Sequence, residues 1–396
     1  MHENEVSQAA LRALDQFQIE IPSWGFANTG TRFGKFLQPA AATSLEEKFA
    51  DAAQVHALTG VTPRMALHVL WDLPGGAADV SAVRRLAERY GIRPGSVNPN
   101  LFQNQEYKLG SICNSDAGIR RVAIDHLVES VRLAKELHSA EISIWVADGS
   151  NYPGSQSMRK RIVWLEEAMA ATHAALGDGQ RMLIEYKPFE PAFYHTDIAD
   201  WGMAVRLAQS TGPHAHVLVD TGHHYPSQNI EQIVAWLLHE GRLGGFHFND
   251  RRYADDDLTI GSIDPYQVFR IFHEIFSEQN PAPVSAIAYM IDQSHNLKGK
   301  VEAMVQTVMT AQQLYLKAAL VDRERLEVLQ AAGNIVAAEE CLRDAFWTDV
   351  RPALREWRIS RGLPANPLQM LAESGYVLRM ERERGARNAA LATSYA

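Results

Sequence analysis

The sequence predicts a (β/α)8 barrel followed by a helical carboxyl-terminal extension. Three observations favour this fold: short β-rich runs alternate with longer stretches of helical periodicity, the alternation repeats eight times, and no Gly-x-Gly-x-x-Gly turn follows the first strand. The chain has 396 residues, which is enough for such a barrel and an appendage. An open doubly wound sheet has the same alternation and is the alternative fold.

Eight strands are predicted from short runs rich in branched and aromatic residues. They cover residues 19–25, 65–72, 92–100, 141–149, 182–188, 216–222, 243–250 and 285–292. Strands separated by helices pair in parallel, because each crossover needs a dozen or more residues to return to the same edge. Eight such units therefore predict a closed barrel.

The intervening helices carry recognisable start and stop signals. Ser44 with Glu47 three residues later forms a capping box, and that helix ends at Gly60. Another helix ends on Gly241, and Pro265 occupies the first helical position of the next. Helices are predicted over 44–60, 117–139, 158–177, 229–241 and 264–276.

The chain after about residue 298 is almost entirely of helical pattern, over 300–333 and 339–360. We expect a barrel domain over residues 1–318 and a helical arm over residues 319–396. The apolar pattern of the arm indicates packing on the barrel or at subunit interfaces rather than a site of its own.

Composition excludes several classes of function. There are 38 Lys and Arg against 47 Asp and Glu, a net charge of −9, so neither nucleic acid nor an acidic membrane surface is an expected partner. Two cysteines, Cys113 and Cys341, are too few for a disulfide framework and fit a reducing cytosol. No basic, apolar leader is present, and no apolar run approaches the roughly 18 residues that a membrane span needs. The sequence thus predicts a soluble, cytoplasmic protein.

Acidic and basic side chains follow four successive predicted strands. In a barrel of this kind the carboxyl ends of the strands form one rim, so these side chains are expected to meet. Asp220 ends an apolar run, where a carboxylate would be desolvated unless a cation or hydrogen-bond partners accompany it. The set comprises Glu185 and Lys187 after strand five, Asp220 and His223 after strand six, His247 and Asn249 after strand seven, and Asp292 after strand eight.

The loop after strand seven adds three consecutive carboxylates, which repel one another unless a cation is present. Carboxylates with imidazoles and no nearby cysteine favour Mn²⁺, with Co²⁺ or Mg²⁺ as substitutes. Two ions per subunit are predicted, because the donors are too many for one octahedron. Glu185, Asp220, His247 and Asp292 would hold the first ion, and His223, Asp255 and Asp257 the second, with Asp220 bridging.

Several segments resemble those of known sugar isomerases. Residues 185–191 are similar to the Glu-x-Lys-Pro-x-Glu-Pro stretch of xylose isomerases. Longer segments, in the same order, resemble L-rhamnose isomerases of the broad-specificity pseudomonad type. They are IPSWG with TGTRF (21–33), HVLWD (68–72), WVADGSNYPG (145–154), EPAFY (190–194), VDTGHH (219–224), GGFHFNDRRYADDDL (244–258) and MIDQSHN (290–296).

The resemblance implies roles for further residues. Lys187 corresponds to a lysine that contacts a substrate oxygen, His68 to a sugar-binding histidine, and Trp24 and Trp145 to aromatic walls of the sugar pocket. Phe33 corresponds to a residue presented by a neighbouring subunit, which implies a homotetramer. Without the resemblance, His68, Trp24 and Trp145 are equally typical of a packed core.

The implied activity is metal-dependent interconversion of L-rhamnose and L-rhamnulose, with breadth for other aldoses. Lys187, Asp292 and His68 are the expected catalytic residues. A hydride shift between adjacent carbons is favoured by the two-metal ligand set, and an enediol route is the alternative.

Three other functions stay open. A ketose 3-epimerase would usually use one metal, with Asp148 as a candidate carboxylate, whereas the acidic loop favours two. A metal-dependent phosphodiesterase or nuclease would need a basic surface or a phosphate-binding loop, and a chain at −9 without a P-loop has neither. A non-catalytic sugar-binding module is the third.

Overall fold

The computed structural model of the chain describes residues 6, 8–28, 36–150, 152–189, 195–278 and 286–392. Eight parallel strands form one sheet in sequential order, and a bridge between Glu20 and Met290 joins its two edges. The predicted (β/α)8 barrel is thus confirmed. The strands are β1 (Ile21–Pro22), β2 (Arg64–His68), β3 (Arg93–Asn98), β4 (Glu141–Trp145), β5 (Arg181–Glu185), β6 (Ala215–Asp220), β7 (Leu243–Phe248) and β8 (Ala288–Ile291).

Helices precede, separate and follow the strands. Several are capped as their sequences indicate: Ser44 accepts a hydrogen bond from the Glu47 amide, and Gly60 is left-handed at φ 75°. The barrel helices are α1 (Gln8–Gln16), α2 (Leu45–Thr59), α3 (Val69–Asp72), α4 (Val80–Tyr90), α5 (Ala117–Glu136), α6 (Met158–Ala175), α7 (Trp201–Thr211), α8 (Ile230–His239), α9 (Pro265–Ser277) and α10 (Lys300–Ala319).

The predicted strands extend too far at their carboxyl ends. The predicted strand over 65–72 is wrong beyond His68, because Val69–Asp72 forms the single helical turn α3. Here the Asp72 carboxylate accepts a hydrogen bond from the His68 amide, which turns the backbone away from the sheet. Polar side chains at these ends therefore lie on strand termini and the loops that follow.

Apolar side chains fill both sides of the sheet. Alternate strand residues point to opposite sides, so Ile142 and Ile144 join the large core between sheet and helices. A smaller buried cluster fills the interior of the barrel beneath the rim, as expected for this fold. Its members are Leu183, Leu218, Ala288 and Met290.

In the described part of the chain, five helices follow α10 and pack back onto the barrel. Trp357 donates a hydrogen bond to Asp15 of α1 at 2.8 Å, and Arg384 pairs with Asp51 of α2 at 2.7 Å. Across the described ranges, no helix combines the length and the apolar character needed to cross a bilayer. The five are α11 (Arg323–Ala331), α12 (Ile335–Trp347), α13 (Arg351–Ser360), α14 (Pro367–Ser374) and α15 (Tyr376–Ala392).

Candidate functional site

The register of the barrel brings the predicted ligands to one level. Asp220 of β6 lies opposite His247 of β7, and Glu185 of β5 pairs with Leu218, two residues before Asp220 on the same side of β6. Asp292 follows directly after β8. Four adjacent strands therefore deliver their terminal side chains to one end of the barrel.

One group of predicted ligands is compact. Glu185, Asp220, His247 and Asp292 each offer a ligand atom, and these atoms lie within 4.8 Å of one another. His247 Nδ1 is 3.2 Å from Glu185 Oε1, and the indole of Trp24 donates a hydrogen bond to Asp292 Oδ1 at 2.8 Å. The four residues predicted for the first metal ion thus lie together.

A second group shares Asp220 and adds His223 and Asp255, again with ligand atoms within 4.8 Å. His223 Nδ1 lies 3.1 Å from the Tyr186 carbonyl oxygen, which can only accept, so Nδ1 carries the proton. His223 Nε2 then faces Asp220 Oδ2 and Asp255 Oδ1, each at 3.7 Å. A ring oriented in this way by a carbonyl is the usual arrangement of a metal-binding histidine.

Asp257 is placed differently from the other predicted ligands. It lines the same cavity but is outside both compact groups. Its φ of 47° is left-handed, an uncommon conformation that aspartate tolerates better than most residues. Its neighbour Asp256 accepts hydrogen bonds from the Arg252 and Tyr253 amides and so anchors the loop.

Electrostatics at the rim are unfavourable without a cation. Burial raises the pKa of Asp220 to about 7, and the charges of Glu185 and Asp292 raise it against the opposing effect of His223. Burial also raises the pKa of Asp292. Burial lowers the pKa of His247, but the Glu185 carboxylate raises it to about 9. The negative charges of these neighbouring buried carboxylates, whose ligand atoms lie within 4.8 Å of one another, are thus only partly compensated by the two imidazoles.

This donor set fits divalent metal ions. Carboxylate oxygens and imidazole nitrogens are ligands for Mn²⁺, Co²⁺ and Mg²⁺, and a bound cation offsets the repulsion among buried carboxylates. The Asp220 carboxylate is further held by the Gly222 amide at 2.7 Å and the Asn249 amide at 3.0 Å. Such outer contacts orient a ligand before an ion binds.

A cavity of about 110 Å³ lies above the two groups. Lys187 enters it with Nζ 2.8 Å from Asp255 Oδ2 and 5.0 Å from the centre of the Trp145 ring. Aromatic rings form much of the remaining wall, which can cover the apolar faces of a small polyol and exclude water. The aromatic lining consists of Trp24, His68, Trp71, Phe102 and Trp145.

His68 presents a defined protonation state to the cavity. Its Nδ1 accepts a hydrogen bond from the Leu70 amide at 3.3 Å, so the neutral ring carries its proton on Nε2. Burial and then the nearby charge of Lys48 lower the pKa of His68 to about 3. The imidazole is therefore a neutral hydrogen-bond donor over the working pH range.

A buried ion pair stands behind His68. Lys48 Nζ of α2 lies 2.6 Å from Asp72 Oδ1. Asp72 Oδ2 accepts hydrogen bonds from the Ser23 hydroxyl at 2.5 Å and the His68 amide at 2.8 Å. This carboxylate connects the ends of β1 and β2 to α2.

Several residues that line the cavity are not among those predicted from the sequence. Trp71 stacks on His68 with ring centres 4.0 Å apart, and Asn98 and Phe102 also line the cavity. A polar residue at the end of β3 was the available signal for Asn98. Phe33 lies outside the described residues, so its predicted place is not seen.

Asp148, the candidate carboxylate of an epimerase, serves the loop after β3. It accepts hydrogen bonds from the Ser111 amide at 2.6 Å, the Ser111 hydroxyl at 2.9 Å and the Cys113 amide at 2.7 Å. It is not among the residues that line the ligand-bearing cavity. These contacts are those of a loop anchor.

Comparison with known proteins gives consistent similarities. Residues 50–276 match the family model described as xylose isomerase-like TIM barrel. A probable sugar isomerase of Rhizobium meliloti (strain 1021) is 39% identical over 93% of this chain and 87% of its own length. A probable sugar isomerase of Mesorhizobium japonicum is 38% identical over 95% and 88%. The structure of a xylose isomerase domain protein from Alicyclobacillus acidocaldarius shares the fold, with a TM-score of 0.55 and 14% identity over 76% of this chain and 99% of its own.

Proposed function

Because the chain belongs to the xylose isomerase-like TIM barrel family, we propose that it is a metal-dependent aldose–ketose isomerase. The observation that carries this proposal is that six of the seven predicted ligands line one aromatic-walled cavity, while the seventh, Asp220, belongs to both compact groups of ligand atoms. The names of the two rhizobial relatives, probable sugar isomerases, support the reaction class. L-Rhamnose, converted to L-rhamnulose, is the proposed substrate on the basis of the segments that resemble L-rhamnose isomerases.

Two divalent ions, Mn²⁺ by preference, would be held by these residues. Glu185, Asp220, His247 and Asp292 would hold the first, and Asp220, His223, Asp255 and Asp257 the second. When bound, such ions hold sugar hydroxyl oxygens and polarise a carbonyl group.

The protein groups around the cavity have distinct proposed tasks. The Lys187 ammonium donates to the carbonyl oxygen of the open-chain sugar and stabilises the negative charge that develops there. The His68 Nε2–H donates a hydrogen bond to another sugar oxygen and takes up no proton near neutral pH, because the pKa of His68 is about 3. Trp24 and Trp145 cover the carbon chain and keep water away from the reacting carbons.

The proposed route is a hydride shift. The hydrogen on carbon 2 moves with its electron pair to carbon 1, the oxygen on carbon 2 loses its proton, and the oxygen on carbon 1 gains one. The two compact groups of ligand atoms support this route, because they are placed to hold two ions next to the sugar oxygens. Conversion in deuterium oxide tests it: product without deuterium on carbon 1 is expected, and extensive incorporation would indicate the enediol.

A panel of aldoses tests the proposed function. The chelated protein should convert none of them, and restored Mn²⁺, Co²⁺ or Mg²⁺ should give aldose–ketose conversion with L-rhamnose among the preferred sugars. Inversion at carbon 3 of a ketose without such conversion would identify a 3-epimerase. Sugar binding without turnover in the presence of Mn²⁺ would identify a binding module.

The proposal extends to assembly and location. A homotetramer in the cytoplasm follows from the resemblance of the segment that contains Phe33 and from the cysteine content. Light scattering coupled to size-exclusion chromatography would test the tetramer, and a monomeric active enzyme would contradict it.

A further inference from the structure

The carboxyl-terminal helix α15 holds a short backbone segment beside the candidate site, residues 39–41, by hydrogen bonds. Three consecutive carbonyl groups of this segment accept hydrogen bonds from two α15 side chains. Asn388 Nδ2 lies 2.9 Å from the Pro39 oxygen and 2.9 Å from the Ala41 oxygen, and Arg384 Nη1 lies 2.9 Å from the Ala40 oxygen. Three successive peptide groups held by one helix leave this backbone little freedom to move.

The two side chains that make this grip are buried although they are polar. Asn388 is 2% exposed and Arg384 is 1% exposed. Arg384 also binds both carboxylate oxygens of Asp51 on α2, at 2.7 and 3.0 Å, and Asn388 Oδ1 accepts a hydrogen bond from Asn28 at 2.9 Å. Burying these polar groups costs free energy unless each of them meets its hydrogen-bond partners. Because the partners meet in only one placement of the helix, the network fixes the position of α15 on the barrel.

The gripped segment reaches the candidate site through Gln38. The Gln38 amide N–H donates to Asn28 Oδ1 at 3.0 Å, and its side-chain Nε2 donates to the His295 carbonyl at 3.0 Å. His295 lies in the loop between β8 and α10, where the neighbouring Ser294 and Asn296 line the cavity. Direct contacts therefore run from α15 through residues 38–41 to the cavity wall.

The loop after β8 is also anchored to the barrel and to α10: Thr307 donates to the Gln293 side chain at 2.8 Å, and Lys298 Nζ lies 2.6 Å from the Thr259 hydroxyl. Lys300 Nζ donates to the same His295 carbonyl at 2.5 Å, and the Ser294 hydroxyl is 3.5 Å from the Trp24 carbonyl oxygen. Loss of the Gln38 contact would therefore uncouple His295 from the segment that α15 holds, while these other anchors stay in place. This loop follows Asp292, which is itself held by Trp24.

We propose that α15 is a positioning element of the candidate site, and that Asn388 and Gln38 together set the position of the loop that carries Ser294 and Asn296. The inference rests on the proposed function for its kinetic effect, since only a sugar-binding cavity needs that wall in one place. The distal end of the arm then belongs to the functional unit of the barrel.

Hydrogen–deuterium exchange of the full-length, Mn²⁺-loaded protein tests the structural part. Asn388→Ala should speed amide exchange about tenfold at residues 36–42 and 293–299, as the loss of one or two hydrogen bonds would. Gln38→Ala should affect 293–299 in the same direction. Asn334→Ala is the matched control, because Asn334 only caps the exposed start of α12 through the Ala337 amide.

Steady-state kinetics test the functional part. Asn388→Ala and Gln38→Ala should raise KM for the aldose several-fold more than they lower kcat, with bound metal unchanged, and Asn334→Ala should match wild type. Unchanged exchange at 293–299 in both site variants would overturn the inference. If Asn388→Ala does not fold, Gln38→Ala decides, because Gln38 is partly exposed and its side chain is dispensable for the core. A wild-type protein that converts no aldose would contradict the proposed function, while the exchange result would still decide the role of α15.

Discussion

Asp292 joins a compact ligand group to the wall of the cavity. Its ligand atom lies within 4.8 Å of those of Glu185, Asp220 and His247, and the Trp24 indole donates a hydrogen bond to its Oδ1 at 2.8 Å. Burial raises the pKa of its carboxyl group, so a cation is needed to keep it ionised at low cost. The role of Asp292 as a ligand remains a prediction that single substitutions can test.

Asp292→Asn should lower Mn²⁺ occupancy and turnover together, by about 10- to 100-fold or more, because one charged ligand of a polydentate site is lost. The fold should persist by circular dichroism. Metal content by mass spectrometry and aldose conversion are the measurements. Asp322→Asn is the control, since Asp322 caps α11 through the Arg325 amide, is not among the residues that line the cavity, and should leave both quantities unchanged. Full occupancy with full activity in Asp292→Asn would remove this residue from the ligand set.

Lys187→Met should lower kcat by about 10²- to 10³-fold with the first metal ion still bound, because the residue donates to developing negative charge. Besides its proposed contact with the substrate, Lys187 forms an ion pair with Asp255, with Nζ 2.8 Å from Oδ2. Metal analysis of the same variant is therefore essential. Loss of metal in place of turnover would mean that Lys187 holds the ligand Asp255 and not the substrate.

At the scale of elements, α2 supports the end of β2 through a buried ion pair. The side chains of Lys48 and Asp72 are both almost fully buried. The Asp72 carboxylate also accepts hydrogen bonds from the Ser23 hydroxyl and the His68 amide. A pair of this kind contributes less to stability than to the placement of the groups it joins. Here it places the backbone of His68 at the cavity wall.

Lys48→Met should destabilise the protein by about 3–5 kcal/mol, because it leaves the Asp72 carboxylate buried without its cation. Urea unfolding measures this change. Lys48→Met combined with Asp72→Leu should recover only part of the loss, since Ser23 and His68 would then lack their acceptor. Arg387→Met is the control: Arg387 makes an exposed ion pair with Glu47, so its loss should cost under about 1 kcal/mol. Equal effects of the two single substitutions would contradict the argument.

At the scale of the whole molecule, the carboxylates at the rim of the barrel repel one another. Glu185, Asp220 and Asp292 converge at the end of a barrel whose interior is apolar. An ion bound there links four adjacent strands, so it should stabilise the folded barrel as a unit.

Addition of Mn²⁺ at about 100 times its dissociation constant should stabilise the chelated protein by about 2.7 kcal/mol per site. Thermal unfolding with and without the ion measures this effect, and Asp220→Asn should abolish most of it, because Asp220 belongs to both ligand groups. A melting temperature that does not respond to Mn²⁺, Co²⁺ or Mg²⁺ in the wild type would argue against a metal centre at this rim.

The sequence alone was sufficient to predict the fold, because the fold class is encoded in patterns of neighbouring residues. Apolar periodicity switched eight times between strand and helix, and such switching depends only on residues near in the chain. The predicted strands extend beyond the observed ones at their carboxyl ends, as after His68. The point at which a strand ends depends on its hydrogen bonds to the neighbouring strand and on side chains such as Asp72, which accepts a hydrogen bond from the His68 amide.

The candidate ligands were accessible to sequence reasoning for a related reason. Each follows a strand directly, and a parallel barrel brings all strand ends to one rim. Other parts of the site depend on residues far apart in the chain: Lys48 behind His68, Trp24 against Asp292, and Asn388 against residues 39–41. Order along the chain determined which side chains reach the rim, whereas the contacts that hold them were decided only by tertiary packing, since distant segments approach one another only when the barrel closes.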